Sequence, residues 1–334
     1  MNAADPRILP IVELDRAEFD SVFASIVAGA SLREIELVQG GLVNTVYRVT
    51  TSTGTYALRL YADHELHSGD EQFEREVALL SRLGAATGVP MPRIAIADAS
   101  RTRAPTPYVV YPWIDGVTLN DCRHNHGAAA LTSLADPLGR VLASTAALAI
   151  PLTQSLTIEG ALIGADAGLS SRLVRNRLGP ESADALRALF DVNQVMLLAL
   201  DEHRALVHGD FGGRNVLVHQ ARDATWYVSG VIDWDAAAIA SPLWDVGSLF
   251  RYASRYPLDF RERFARAYRA AGGRLPDEWW RLSRLIDATR VVRILGEEHE
   301  LPVVFDECRS IVADLIADVR PNRPHFVRNR ATGR

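Results

Sequence analysis

The apolar pattern of this chain changes its period partway along, and that change limits the fold more than any other feature. From Ile35 to Leu60 apolar and polar residues alternate, in IELVQGGLVNTVYRVT and then GTYALRLY, which means strands with one buried face. Gly40 and Gly41 punctuate the first stretch and Gly54 opens the second, so these strands should fold back on one another. Ser68 and Glu71 form a capping box, and helical spacing follows to about Leu83, where Gly88, Pro90 and Pro92 stop it. RIAIAD and PYVVYPWI predict two further strands, and residues 16 to 30 a short helix. After Gly116 the period becomes helical for about 90 residues, with breaks expected from Pro151 to Gly168 and at Gly179–Pro180. A strand-rich island spans Leu206 to Asp233, and helices then continue to about Val319.

This pattern predicts an α+β, two-lobed molecule. Residues 1–113 would form a small lobe of antiparallel sheet with one helix. Residues 114–319 would form a larger, mostly helical lobe with an embedded β-hairpin, and 320–334 a basic, frayed tail. The boundary falls near Trp113 to Gly116, and clefts between such lobes are common ligand sites.

Composition excludes several chemistries. All 36 basic residues are arginine, so a Schiff-base lysine and a Walker-type lysine are both ruled out. The tail from 320 to 334 holds five arginines and no acid, which leaves the rest of the chain at about −10 and argues against a nucleic-acid surface. No apolar run approaches the roughly 20 residues of a membrane helix. The first residues, MNAADPRILP, lack the apolar core of a signal peptide. Cys122 and Cys308 stand far apart with no CxxC, so a disulfide framework is not expected and a cytoplasmic location is.

The chemistry-bearing signal is LVHGDFGGRNVLV followed closely by SGVIDWD. NVLVHQARDATWYVSGVID reads as strand, turn, strand, so a hairpin brings Asn215 at its start back toward Asp233 at its end, with Asp210 on the loop before it. Three oxygen-donor side chains thus converge. Such a set suits Mg²⁺ with room for phosphates and leaves one carboxylate to accept a hydroxyl proton.

The stretch resembles the aminoglycoside phosphotransferase family, the small-molecule branch of the protein-kinase-like fold. The resemblance rests on His208-Gly209-Asp210, Asn215 five residues after that Asp, Ile232-Asp233-Trp234 after the hairpin, and Asp245 twelve residues further on. It implies transfer of a phosphoryl group from ATP or GTP to a small-molecule hydroxyl, with Mg²⁺ as cofactor. By that resemblance Asp210 is the catalytic base, Asn215 and Asp233 hold the metal, and His208 and Asp245 brace the catalytic loop. Gly40 and Gly41 would offer backbone N–H groups to phosphate, with Asn44 in the same loop. Arg59 stands where many members carry a phosphate-binding lysine. Glu76, which falls inside the buried stripe marked by Phe73, Val77, Leu80 and Gly84, is its expected partner, because a carboxylate there is costly unless paired. Glu74 points outward. The nucleotide base would lie at the lobe junction along Tyr111, Pro112, Trp113 and Ile114, met through backbone groups. Ala240, Ser241 and Pro242 replace the family's common Gly-Asp-Pro.

For the acceptor, Trp279, Leu282 and Ile286 begin a helical stripe that Arg290, Arg293, Glu297 and Glu300 continue. Glu297, Glu300 and Asp235 are candidates to meet the amines of a cationic acceptor such as an aminoglycoside antibiotic. The alternatives are a metabolite kinase, acting on an amino sugar, amino alcohol or homoserine-like compound, and a catalytically silent nucleotide-binding pseudokinase.

Overall fold

In a computed structural model of the chain, the described residues are 7, 9–24, 26, 31–39, 43–63, 68–83, 88–150 and 152–319. The chain begins with α1 (Arg16–Phe23), β1 (Leu32–Leu37), β2 (Thr45–Thr51), β3 (Thr55–Leu60), α2 (Gly69–Leu83), β4 (Ile96–Asp98) and β5 (Tyr108–Pro112). The strands form one antiparallel sheet in the order β1-β2-β3-β5-β4. Asp15 starts α1 by accepting from the Glu18 N–H, while Glu18 accepts from the Asp15 N–H. The helix expected over 16 to 30 is eight residues long.

Because β3 lies inside the sheet, both of its faces are covered. Leu58 and Leu60 join Tyr47, Val49, Tyr108 and Val110 in a core beneath α1. The opposite face, with Tyr61, Val109 and Tyr111, packs with Phe73, Leu80 and Leu83 of α2 and runs on into the core of the helical lobe. Arg59 sits on that second face, opposite Val109 in the register, and is 9% exposed. The period of two therefore places a charged residue under cover.

Beyond β5 come β6 (Val117–Thr118), α3 (Leu119–Asn125), α4 (Gly127–Ala146), α5 (Ile158–Ser170), α6 (Arg172–Leu178) and α7 (Pro180–Leu198). They lead to β7 (Ala205–Val207), β8 (Val216–Gln220), β9 (Trp226–Val231) and β10 (Ala238–Ala240), then α8 (Leu243–Leu249), α9 (Phe260–Ala270), α10 (Trp279–Leu295) and α11 (Pro302–Val319). The interruption expected from Pro151 to Gly168 is instead mostly helix. Thr157 caps α5 by accepting from the Gly160 N–H, and at Gly168 a Cβ would lie 2.6 Å from Val292, so the glycines permit close packing on α10. The embedded hairpin β8–β9 is present but has company. β6 extends it to three strands, and β7 pairs separately with β10. β6 and β10 are too short for their alternation to stand out in the sequence. Cys122 and Cys308 are buried and unbridged, and no helix among the described residues is long and apolar enough to cross a membrane.

Candidate active site

The β8–β9 hairpin is in register from Val216 opposite Val231, and the Ile232 N–H donates to the Asn215 carbonyl. Asn215 and Asp233 therefore emerge at the same end. Asn215 Nδ2 donates to the backbone carbonyl of Asp210 at 3.0 Å and to its Oδ2 at 3.2 Å. That fixes the amide orientation and leaves Asn215 Oδ1 as a free acceptor. Asp233 takes the left-handed conformation, φ 68° and ψ 62°, uncommon for a residue with a side chain and tolerated best by Asp and Asn.

Asp245 supports the loop before the hairpin. Its Oδ2 accepts from the His208 N–H at 2.6 Å and its Oδ1 from the Gly209 N–H at 2.9 Å. Burial pushes its carboxyl up to about 6, against the opposing pull of His208 and those two N–H groups. The His208 ring bridges Ile232 O, 2.9 Å from Nε2, and the Asp210 N–H, 3.2 Å from Nδ1. Those partners require Nε2 to carry the proton and Nδ1 to accept. The ring also packs against Trp234, 4.6 Å between centroids, and is fully buried. Gly209 has φ +82°, and a Cβ there would come within 2.1 Å of Ala236 O, so only glycine fits between His208 and Asp210.

Arg59 and Glu76 lie across from the hairpin. Arg59 Nη1 is 3.3 Å from Glu76 Oε2 and 2.7 Å from Asp233 Oδ1, the latter an ion contact without hydrogen-bond alignment; Nη2 is 3.5 Å from Asp235 Oδ2. Burial works against the Arg59 charge, but these acids outweigh it and hold the guanidinium well above its ordinary range. Glu76 is 1% exposed and accepts from two further hydroxyls, Tyr61 at 2.7 Å and Tyr111 at 2.9 Å. Desolvation opposes the Asp233 charge, yet Arg59 beside it keeps the carboxyl below the usual range. Asp235 is pushed up to about 7 by burial and by the Asp233 charge.

The other expected nucleotide contacts are spread more widely. Gly40 and Gly41 fall outside the described residues, as does the tail 320–334. Asn44 Nδ2 reaches Gln72 Oε1 on α2 at 3.4 Å. In the stretch expected to meet the base through backbone groups, the Trp113 N–H is committed to the Thr55 carbonyl, while the Tyr111 hydroxyl is turned to Glu76. The Trp113 ring lies beneath the Arg48 guanidinium, 5.3 Å away.

The three candidate acceptor acids are not brought together. Asp235 belongs to the Arg59 cluster, Glu297 has Arg293 as its ion partner at 3.8 Å, and Glu300 pairs with Arg177 with its side chain 78% exposed. Asp210 is instead met by arginines. Arg290 Nη2 lies 3.0 Å from Oδ2, its Nη1 donates to the Gly209 carbonyl, and Arg251 Nη1 stands 3.9 Å from Oδ1. The inward stripe of α10 could be read to include Arg290. Neither the contact with Asp210 nor the part of Arg251, which follows α8, left a sequence signal.

A sequence profile of the phosphotransferase enzyme family matches residues 34–282. No curated protein matches the sequence. Among solved structures, the GDP and kanamycin complex of APH(2")-IIia superposes with a TM-score of 0.67 at 19% identity, covering 91% of this chain and 98% of that one. The apoenzyme of macrolide 2'-phosphotransferase MphH from Brachybacterium faecium gives 0.59 at 20%, covering 92% and 99%. Choline kinase LicA from Streptococcus pneumoniae gives 0.62 at 15%, covering 90% and 98%.

Proposed function

The chain belongs to the phosphotransferase enzyme family, and we propose that it moves the terminal phosphoryl group of ATP or GTP onto a hydroxyl of a small molecule, with Asp210 as the base. The observation that carries this is the convergence of Asp210, Asn215 and Asp233 at one end of the β8–β9 hairpin, facing the Arg59–Glu76 pair. The acceptor oxygen forms a bond to the terminal phosphorus as the bond to the bridging oxygen breaks. The nucleoside diphosphate leaves, and the hydroxyl proton passes to Asp210 Oδ1, the carboxylate oxygen not already taken by Asn215 and Arg290. His208 and Asp245 hold the loop so that this oxygen points the same way in every cycle.

The residues present fit Mg²⁺. Asn215 Oδ1 is free, and Asp233 is held ionised. Among the described residues Arg59 is the one guanidinium in ion-pair contact with Glu76, Asp233 and Asp235, so this end of the cleft can take up further positive charge. Among the described residues no group of three or more His, Cys, Asp or Glu forms a cage by itself. Asn215 and Asp233 would therefore hold the ion together with phosphate oxygens, and it would neutralise the charge that develops on the transferred group. Arg59, braced by Glu76, would present its remaining N–H groups to phosphate.

The test is a coupled assay of nucleoside diphosphate release, run with Mg²⁺ and a panel of hydroxylated acceptors. Acceptor-dependent turnover that Asp210→Asn removes supports the reading. Nucleotide binding without turnover on any acceptor would support the pseudokinase instead. Among these acceptors, the arginines at Asp210 favour one that carries a carboxylate, such as a homoserine-like compound, over an aminoglycoside, an amino sugar or an amino alcohol.

A further inference from the structure

Three arginines reach the catalytic loop from three different elements on its helical-lobe side. Arg290 comes from α10 and bonds both Gly209 O and Asp210 Oδ2. Arg251 follows α8 and is locked by Asp287, with Nε 2.9 Å from Oδ2 and Nη2 2.6 Å from Oδ1, which aims its Nη1 toward Asp210 Oδ1. Arg123 of α3 lies against Gly213, where a Cβ would stand 2.7 Å from its Nη2.

Little negative charge answers them. Asp287 is spent on Arg251, and Glu307 accepts from the Tyr252 hydroxyl. Asp210 is the only carboxylate in ion-pair contact with Arg290 among the described residues, and Arg290 Nε is covered without a hydrogen-bond partner. Arg123 is 9% exposed, has no ion pair among the described residues, and leaves Nε and Nη1 unbonded over the rings of Tyr256 and Tyr252. A donor buried without a partner is costly, and an arrangement that keeps several around one loop is suited to an anion.

An acceptor hydroxyl bound to Asp210 Oδ1 has Arg251 Nη1 close by, since that atom is 3.9 Å from the same oxygen, and Arg290 on the other carboxylate oxygen. Substituents next to the reacting carbon must then lie beside two guanidiniums. An ammonium group there would be repelled in a partly desolvated site, whereas a carboxylate or phosphate would gain charge-assisted, forked hydrogen bonds.

We infer that the acceptor is a hydroxylated small molecule bearing a carboxylate or phosphate near the hydroxyl that is phosphorylated, read by Arg290 and Arg251. This rests on the phosphotransfer reading above. Reaction balance is unchanged: the hydroxyl oxygen gains the phosphoryl group, its proton goes to Asp210, and the nucleoside diphosphate departs.

The test uses the full chain with Mg²⁺ and ATP or GTP in the coupled assay. One arm holds hydroxycarboxylates, a second holds polyol and sugar phosphates, and a third holds kanamycin and choline. Turnover is expected in the first or second arm, which separates carboxylate from phosphate, and not in the third. With the best acceptor, Arg290→Gln should raise the acceptor KM by about 10- to 100-fold, the worth of one charge-assisted contact. The rise should be much smaller for that acceptor's neutral ester, and Arg290→Lys should recover part of it. A residue that only braced Asp210 would raise both KM values alike. Turnover confined to the cationic arm, no turnover in any arm, or equal KM changes for acid and ester overturns the inference. Titration with a non-hydrolysable nucleotide analogue separates the failures: binding that survives leaves the nucleotide half standing, and its loss removes the phosphotransfer reading as well.

Discussion

Two charge clusters flank the candidate site, and they are built in opposite senses. On the sheet side one guanidinium, Arg59, answers three carboxylates, Glu76, Asp233 and Asp235. On the helical side one carboxylate, Asp210, is answered by two guanidiniums, Arg290 and Arg251, with Asp287 offsetting the second. The first cluster is short of positive charge and can take up a cation with its phosphates. The second has no anionic vacancy for one. On the reading proposed above, Asp233 binds the cation and Asp210 accepts the proton, and the arginines are distributed unequally between them.

The largest effect that bears on this contrast is in turnover. Asp210→Asn should lower kcat by about 10²- to 10⁴-fold, the range for a positioned general base, while Mg²⁺-nucleotide affinity by titration calorimetry stays within a few-fold. Asp233→Asn should damage both. Matching nucleotide-binding defects in the two variants, with turnover intact, would show that the clusters are not divided by task.

Next in size is the stability of the sheet-side cluster. Arg59→Ala strands the buried Glu76 carboxylate and should cost about 3–5 kcal/mol in denaturant unfolding. Glu76→Gln should cost less, because no anion is left uncompensated. Replacing the pair with Arg59→Met and Glu76→Leu should not restore stability, since the Tyr61 and Tyr111 hydroxyls and Asp233 also lose their partner. Single-variant losses that add with coupling below about 0.5 kcal/mol would dissolve the cluster as a unit.

The floor beneath the His208–Asn215 loop should respond on a comparable scale. Asp245→Ala leaves the His208 and Gly209 N–H groups unpaired, at about 1–3 kcal/mol each. Kinetic loss should track the fall in Tm, because Asp210 sits on this loop.

The smallest effect is a slope with pH. Burial raises the folded-state pKa of Asp245 to about 6, above its unfolded value. The folded protein therefore holds an extra proton between about pH 4 and 6, and this group's contribution to stability declines as pH rises through that window. Asp245→Asn should remove that part of the slope. An unchanged unfolding profile across the window would mean the carboxyl titrates normally.

Parts of both clusters were legible because local regularities have fixed geometry. A period of 3.6 turns Glu76 into the apolar stripe of α2 and Glu74 out of it, and a period of two puts Arg59 on the face it shares with Ala57. Hairpin register likewise returns Asn215 to Asp233 without knowledge of the rest of the fold. The acceptor acids could not be found in this way. Glu297 and Glu300 continue an inward stripe, but they lie past the end of α10, where the periodicity that suggested them no longer holds.

The sequence by itself determined the lobes, the loop from His208 to Asn215 and the hairpin that follows it, since each depends on spacing along a few neighbouring residues. Tertiary structure alone decided the Tyr61 and Tyr111 hydroxyls on Glu76, the reach of Arg59 to Asp233, and the arginines around Asp210. An arginine head lies several bonds from its backbone, and this chain has 36 arginines. Which carboxylate each one meets is set by how elements distant in sequence pack, and no periodicity records that.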